Sequence, residues 1–323
     1  MKEFILGFDL GGTKVVAAVL DKKFKIVSRV KEKARADEGV EAVFKVICGV
    51  IEEACKQAQL EVSELKAIGG CAPGLVEPKT GLVYDTPNLG LKNFPLKQRL
   101  EEKFEVPVTI ENDVNAGLYG EFCFGAAKGK NNVLAISPGT GVGGALIIDG
   151  QLYRGANGGA GEFGHMIVQA DGPLCGCGQR GCLEAIASRT AISQQIASFA
   201  VRGRIPLVTK EAKGNLKKIK SGLIAKAYHS GDPDTREVVH YAARYLGIGM
   251  SNLVNAFNPE AIILGGGLIE ALPEPFLEFS TETMRQTAMS SNAHGVEVCA
   301  AKLGDDAVIM GTAQLAYEAA KRP

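Results

Sequence analysis

The sequence lacks a net charge. Its 36 lysine and arginine residues are balanced by 36 aspartate and glutamate residues, so no global field attracts nucleic acid or an anionic membrane. An anion-binding site therefore has to be built locally, from backbone N–H groups and a few side chains. We expect a small-molecule ligand, and neither nucleic acid nor a membrane as a partner.

Long apolar runs are also absent. No stretch approaches the roughly 18 apolar residues that a membrane-spanning helix requires, and the first residues enter a strand-like run without the charged and apolar regions of a signal peptide. These absences predict a cytoplasmic protein. Its eight cysteines are accordingly expected to be reduced thiols, because a mostly apolar chain of this size does not need disulfides.

The spacing of apolar residues predicts an α/β fold. Three strand-like runs open the chain and helical spacing follows at residues 39–59, whereas helical patterns dominate from Leu183 onward. Since 323 residues exceed one typical domain, we predict two lobes. Their expected extents are residues 1–115 with the closing segment 305–323, and residues 116–304.

The two predicted lobes resemble each other around a glycine-rich turn. When Asp9 is set against Ser137 without gaps, Gly11 falls on Gly139 and a strand follows in both places. This pattern is typical of an internal duplication, although two unrelated hairpins with similar turns would also produce it.

Both glycine turns are candidate phosphate-binding sites. In Asp9-Leu10-Gly11-Gly12-Thr13-Lys14, glycines let backbone N–H groups approach an anion, Thr13 adds a hydroxyl, and Asp9 could organise Mg²⁺. A tight hairpin without a ligand is the other interpretation of this turn.

The second turn, Ser137 to Gly144, contains G-x-G-x-x-G but is followed by a strand pattern. A dinucleotide-binding motif requires a helix there, and the P-loop sequence G-x-x-x-x-G-K-[ST] is absent, so a hairpin that binds ATP phosphates is favoured. The residues expected to contact ATP are Asp9, Gly11, Gly12, Thr13, Lys14, Gly139, Thr140, Gly141, Gly143, Gly265, Gly266 and Gly267.

The segment Ile110-Glu111-Asn112-Asp113 offers a general base. Phosphoryl transfer needs positioning, charge stabilisation and a base for the attacking hydroxyl. Asp113 could accept the hydroxyl proton while the amide of Asn112 binds neighbouring hydroxyls. Considered alone, an Asn-Asp pair is more commonly a helix cap.

A metal site is predicted from the spacing H-x₉-C-x-C-x₄-C, which His165, Cys175, Cys177 and Cys182 form. Three thiolates and one imidazole complete a tetrahedral Zn²⁺ shell and leave no open position, so the metal is expected to be structural. Four unrelated residues would be the alternative. Glu162 precedes His165 in Gly161-Glu162-Phe163-Gly164-His165, and Glu184 follows the last cysteine closely. The metal loop is therefore expected to hold the Glu184 carboxylate at the same ligand site as Glu162.

Together these motifs resemble the ROK family of repressors, open reading frames and kinases. The resemblance spans nearly the whole chain and implies a two-lobed actin-like, hexokinase-like ATPase fold with duplicated ribonuclease-H-like lobes, an inserted zinc loop and ATP-dependent hexose phosphorylation. It implies Asp113 as the catalytic base, His165 as a residue that binds zinc with one ring nitrogen and sugar with the other, and a homodimer or homotetramer. The implied sugar contacts are Asn88, Asn112, Asp113, Glu162, His165 and Glu184.

The resemblance favours glucose as the substrate. N-acetylmannosamine, N-acetylglucosamine and fructose kinases are the alternatives, because discrimination depends on the pocket around the sugar 2-position. Many relatives are repressors with a helix-turn-helix ahead of the first glycine motif. Since that motif starts at Asp9 here, a sugar-sensing regulator is not expected.

Overall fold

The computed structural model describes residues 3–86 and 88–321, and its contacts divide the chain into two units. The first unit comprises the chain up to Gly129, the segment Gln151–Ala160 and the chain from Asp305 onward; the second comprises Lys130–Gly150 and Gly161–Gly304. In the described part of the chain, no helix combines the length and apolar character needed to cross a membrane.

The described residues contain twelve strands, twelve α-helices and four short 3₁₀ helices. The strands are β1 (Phe4–Leu10), β2 (Lys14–Leu20), β3 (Ile26–Lys33), β4 (Leu65–Ala72), β5 (Val83–Thr86), β6 (Leu91–Phe94), β7 (Val108–Asn112), β8 (Val133–Pro138), β9 (Val142–Ile148), β10 (Gln151–Leu152), β11 (Ala261–Leu264) and β12 (Glu297–Ala300). The helices are α1 (Val40–Gln57), α2 (Leu96–Phe104), α3 (Asp113–Phe124), α4 (Glu184–Ala187), α5 (Arg189–Ala200), α6 (Pro206–Ala212), α7 (Ser221–His229), α8 (Pro233–Phe257), α9 (Gly267–Ala271), α10 (Pro273–Thr287), α11 (Ser290–Ala293) and α12 (Asp306–Ala319).

The first unit is built on a mixed sheet with the strand order β3-β2-β1-β4-β7. β1, β2 and β3 form an antiparallel meander, whereas β4 and β7 run parallel to β1. Side chains alternate between the faces of a strand: Leu6, Phe8 and Leu10 join the core under α1, and Ile5 joins a smaller core with Ile309 of α12.

Glycines bring α12 into backbone contact with the sheet and with α3. A Cβ atom on Gly69 of β4 would lie 1.9 Å from Thr312 O, and one on Gly120 of α3 would lie 2.1 Å from Ala307 O. Because α3 packs on α12 in this way, it belongs to the first unit. The observed division therefore differs from the predicted boundary after residue 115, and the segment Gln151–Ala160 also lies in the first unit.

The second unit has a mixed sheet in which the strands follow the order β9-β8-β11-β12. β8 and β9 are antiparallel, and β8, β11 and β12 are parallel. The glycine-rich segment between β8 and β9 is thus a hairpin turn, which confirms that it does not open the helix of a dinucleotide-binding motif.

The helical pattern from Leu183 to Val201 is interrupted at Ser188. This residue ends α4 in an extended conformation (φ −71°, ψ 156°), and its side chain accepts a hydrogen bond from Ala191 N at the start of α5. The helical pattern that begins at Leu183 is therefore two helices, because a serine in an extended conformation satisfies a free N–H group at the start of a new helix.

Candidate active site

Three parallel strands of the first unit bring polar residues to one edge of its sheet. Asp9 on β1 is paired in register with Cys71 on β4, and Cys71 with Glu111 on β7. The Cys71 thiol donates to Asp9 Oδ1 at 3.2 Å. Cys71 is fully buried, and the strand register places its thiol against a carboxylate.

Asp113 follows at the first position of α3. Burial and the negative charge of Asp9 raise the pKa of the Asp113 carboxyl to about 6, and burial also raises the pKa of Asp9. A carboxylate whose pKa lies near the operating pH is both available as a base and basic enough to accept a proton.

Asn112 caps α3, the role that an Asn-Asp pair most often has. Its Oδ1 accepts from Val114 N at 2.9 Å and from Asn115 N at 3.1 Å, and its Nδ2 donates to Gly74 O at 3.0 Å. A further hydrogen bond from the Asn112 side chain to the Asp113 carboxyl acts to lower the pKa of Asp113, so Asn112 both caps the helix and contacts the candidate base.

Glu111 and Arg154 form an ion pair beside this cap. Arg154 Nε donates to Glu111 Oε2 at 2.6 Å, and Glu111 is 4% exposed. The sequence analysis assigned neither residue a role, and their separation along the chain leaves no local pattern that would pair them.

The first glycine turn lies close to another predicted sugar-binding residue. Gly11 N donates to Lys14 O at 2.9 Å and closes the turn. A Cβ atom on Gly12 would lie 3.5 Å from the Cβ atom of Asn88, whose side chain is exposed. The structure thus brings together Asn88 and the turn between β1 and β2. Lys14 Nζ lies 4.0 Å from Asp305 Oδ1.

The second glycine turn is closed by Gly139 N donating to Gly141 O at 2.8 Å. Arg189 Nη2 donates to Thr140 Oγ1 at 2.9 Å. The turn also contacts the third glycine run, since a Cβ atom on Gly266 would lie 2.6 Å from Ser137 Oγ. Gly266 has φ +83°, a conformation that glycine adopts without strain.

The predicted metal ligands lie together in the second unit. The donor atoms of His165, Cys175, Cys177 and Cys182 are all within 4.8 Å of one another. Cys177 Sγ and Cys182 Sγ are 3.7 Å apart, and Cys175 Sγ lies 3.8 Å from His165 Nδ1. Zn–S bonds of about 2.3 Å in tetrahedral geometry separate the sulfur ligands by about 3.8 Å, so the residues fit a Zn²⁺ ion.

The two nitrogens of His165 face different groups. Nδ1 faces the cysteines, whereas Nε2 lies 4.0 Å from Glu162 Oε2. Both side chains are solvent-accessible. Nδ1 therefore lies on the side of the cysteines, and Nε2 lies on the side of the Glu162 carboxylate.

Comparison with known proteins gives concordant results. The model of the ROK family matches residues 5–319. The chain is 35% identical over 312 residues to a glucokinase of Halalkalibacterium halodurans, covering 95% of this chain and 92% of that protein. It is 39% identical over 255 residues to a xylose repressor of Bacillus spizizenii, covering 79% of this chain and 62% of the repressor.

A similar solved structure is that of a ROK family glucokinase from Streptomyces griseus in complex with glucose and AMPPNP. It superposes with a TM-score of 0.84 at 33% sequence identity, and the match covers 98% of this chain and 99% of the other. The likeness therefore extends over both units and includes an enzyme that binds a hexose and an ATP analogue.

Proposed function

The chain belongs to the ROK family, and from this premise we propose that it is an ATP-dependent hexose kinase that converts glucose to glucose 6-phosphate. The observation that carries the proposal is the Asp113 carboxyl at the start of α3, whose raised pKa of about 6 suits a base near neutral pH. The similarity to a glucokinase over 95% of this chain supports glucose as the hexose.

In the proposed reaction, Asp113 accepts the proton of the sugar 6-hydroxyl as its oxygen attacks the γ-phosphorus of ATP. A new O–P bond forms, the bond from the γ-phosphorus to the bridging β,γ-oxygen breaks, and ADP leaves with that electron pair. Asn88, Asn112, Glu162, His165 and Glu184 would bind the remaining sugar hydroxyls and so fix the orientation of the attacking one.

The glycine turns would bind ATP through backbone N–H groups. Mg²⁺ bound with ATP would neutralise phosphate charge, and Asp9 is the residue of the first turn that would hold it or its waters. The contacts of Asp9 fit this role, because the partner of its Oδ1 is the Cys71 thiol, and a thiol is a weak donor that leaves the carboxylate available to a cation.

Two finer features of the proposal concern architecture. The cluster of His165, Cys175, Cys177 and Cys182 would hold a structural Zn²⁺ and so fix the loop that leads to Glu184. Both units contain an antiparallel hairpin followed by two parallel strands, which supports duplicated lobes of the actin-like, hexokinase-like type. Assembly as a homodimer or homotetramer stays a prediction.

The test is a coupled assay of ADP release with ATP and Mg²⁺ across glucose, mannose, fructose, N-acetylglucosamine and N-acetylmannosamine, ranked by kcat/KM. Glucose should rank first, and an N-acetyl sugar or fructose in first place would replace glucose as the assigned substrate. Asp113→Asn should bind ATP normally but lose at least about a thousandfold in kcat. A variant with most of its activity would refute the assignment of the base.

A further inference from the structure

Glu111 is a buried carboxylate whose two oxygens have different partners. Oε1 accepts from Asn112 N and from Asn115 Nδ2, each at 3.0 Å, whereas Oε2 accepts from Arg154 Nε at 2.6 Å. One oxygen thus holds the cap and first turn of α3, and the other holds the guanidinium. Asn115 is itself 2% exposed, so the bonds that orient this turn are shielded from water.

Arg154 lies in a short segment that the fold attaches to the first unit. The segment Gln151–Ala160 is preceded and followed along the chain by parts of the second unit. Ala160 N donates to Arg154 O at 3.1 Å and closes it into a loop. Gly158 has φ +83°, and a Cβ atom there would lie 2.6 Å from Val76 O. The loop therefore packs tightly on the rest of the first unit. This packing fixes the backbone position from which the Arg154 side chain extends.

We propose that Arg154 is a positioning residue for phosphoryl transfer: it holds Glu111, and Glu111 holds the first turn of α3, which carries Asp113. The proposal rests on the proposed function, since it takes Asp113 as the base. Arg154 acts through Glu111, so it is not itself a catalytic residue. The chain Arg154, Glu111, Asn112, Asp113 runs through direct hydrogen bonds and one peptide bond.

The charge of Arg154 matters as well as its shape. The groups that face Asp113 are Asp9 on β1 and Cys71 on β4, and Glu111 precedes it on β7. Lys14 and Asp305 act on Asp9 from the adjoining turn and from the start of α12. Removal of the guanidinium leaves Glu111 as an uncompensated buried anion beside the other two carboxylates. A nearby negative charge raises the pKa of a carboxyl group, and a buried charge without its partner is destabilising.

The experiment compares Arg154→Met, Arg154→Lys and the double variant Glu111→Gln/Arg154→Met in the ADP-release assay over a pH series. Arg154→Met should lower kcat by about 10- to 100-fold, equivalent to about 1.4 to 2.7 kcal/mol, with KM for sugar and ATP within about threefold of wild type. The acid limb of its kcat/KM profile should move to higher pH. Arg154→Lys should restore much of kcat, and the double variant should restore the position of the acid limb because the unpaired anion is gone.

Hydrogen exchange provides a readout that does not depend on activity. The amides of Val114 and Asn115 should exchange faster in Arg154→Met than in wild type, and not in Arg154→Lys. Arg29→Met is the matched control, because Arg29 pairs with Asp306 elsewhere in the same unit; it should change neither kcat nor exchange at these amides.

Unchanged kcat, pH profile and exchange in Arg154→Met would overturn the proposal. If that variant does not fold, the double variant decides. It lacks both links to the first turn of α3, so its kcat should stay below that of the wild type, and a wild-type kcat would likewise overturn the proposal. Asp113→Asn, measured in the same assay, distinguishes failure of the positioning role of Arg154 from failure of the proposed function. An active Asp113→Asn refutes the base, whereas an inactive Asp113→Asn with a normal Arg154→Met refutes the positioning role alone.

Discussion

Glu184 Oε2 accepts a hydrogen bond from Val142 N at 2.9 Å, at the point where the second glycine turn enters β9. The other oxygen, Oε1, lies 3.7 Å from Cys175 Sγ. A single carboxylate thus connects the turn proposed to bind phosphate with the cluster proposed to bind Zn²⁺. Gly141 makes this possible, because a Cβ atom there would lie 2.2 Å from Glu184 Oε2.

We predict from this contact that Glu184 affects ATP as well as sugar. Glu184→Ala should raise KM for ATP by about tenfold, since the lost hydrogen bond is worth about 1 to 2 kcal/mol. Gly141→Ala should reproduce this effect by displacing the carboxylate, whereas Gly222→Ala, with open space at its Cβ position, should not. Steady-state kinetics with each substrate varied in turn measures the result. A change in the sugar KM alone would contradict the prediction.

Asp113→Asn should be more stable than the wild type above pH 6. Because the folded state raises the pKa of Asp113 from 3.8 to about 6, the folded protein binds this proton more tightly than the unfolded chain does. The contribution of Asp113 to the free energy of unfolding of the wild type therefore falls as the pH rises from about 4 to 6. It stays low above pH 6. We expect a gain of about 1 to 2 kcal/mol at pH 8 and almost none at pH 4.

Urea unfolding at the two pH values measures this difference. Asp37→Asn, at an exposed position of the same unit, is the control and should match the wild type at both. Equal stability of Asp113→Asn and wild type at pH 8 would argue that the Asp113 pKa is not raised in the folded state.

Two glycines one turn apart on α3 should respond oppositely to the same substitution. Gly120→Ala places a Cβ atom 2.1 Å from Ala307 O and should destabilise the protein by about 3 kcal/mol, because backbone of α12 has to move. At Gly117 the nearest atom to the added Cβ is Val308 Cγ2 at 3.7 Å. Gly117→Ala should therefore stabilise by about 0.5 to 1 kcal/mol, through the helix propensity of alanine. Thermal unfolding of the two variants measures this difference. Similar melting temperatures would disprove the close packing of α3 on α12 at Gly120.

Metal analysis should find one Zn²⁺ per chain in protein purified without chelator. Cys177→Ser should lose it and lower the melting temperature, because removal of a thiolate opens the tetrahedral shell. Cys299→Ser, outside the cluster, should keep full occupancy. Equal metal content in the two variants, or none in the wild type, would rule out the predicted site.

The sequence predicted best where short apolar runs are bounded by turn residues. The three strand-like runs at the start of the chain form β1, β2 and β3, and the helical spacing at residues 39–59 forms α1 (Val40–Gln57). The strand β12 (Glu297–Ala300) was missed, because four partly exposed residues give no clear periodicity. The break at Ser188 was also missed, since it depends on one backbone conformation within a continuous helical pattern.

Within the candidate site, the motif spacing correctly predicted that His165, Cys175, Cys177 and Cys182 lie together, because all four belong to one loop region. The contact between Cys71 and Asp9 was not predictable in the same way, since it depends on the register of two strands that are distant in sequence. The pair of Glu111 and Arg154 requires the packing of a whole loop, which no local pattern encodes.

The packing of α12 on glycines has a consequence for how the protein is made. The backbone surface of β4 and α3 that α12 covers is translated early, whereas α12 itself emerges from the ribosome only after the entire second unit. In a nascent chain, this backbone surface therefore stays uncovered for most of the synthesis. A message truncated anywhere before the codon of Asp306 encodes a product that lacks α12, and in that product the surface of β4 and α3 stays uncovered.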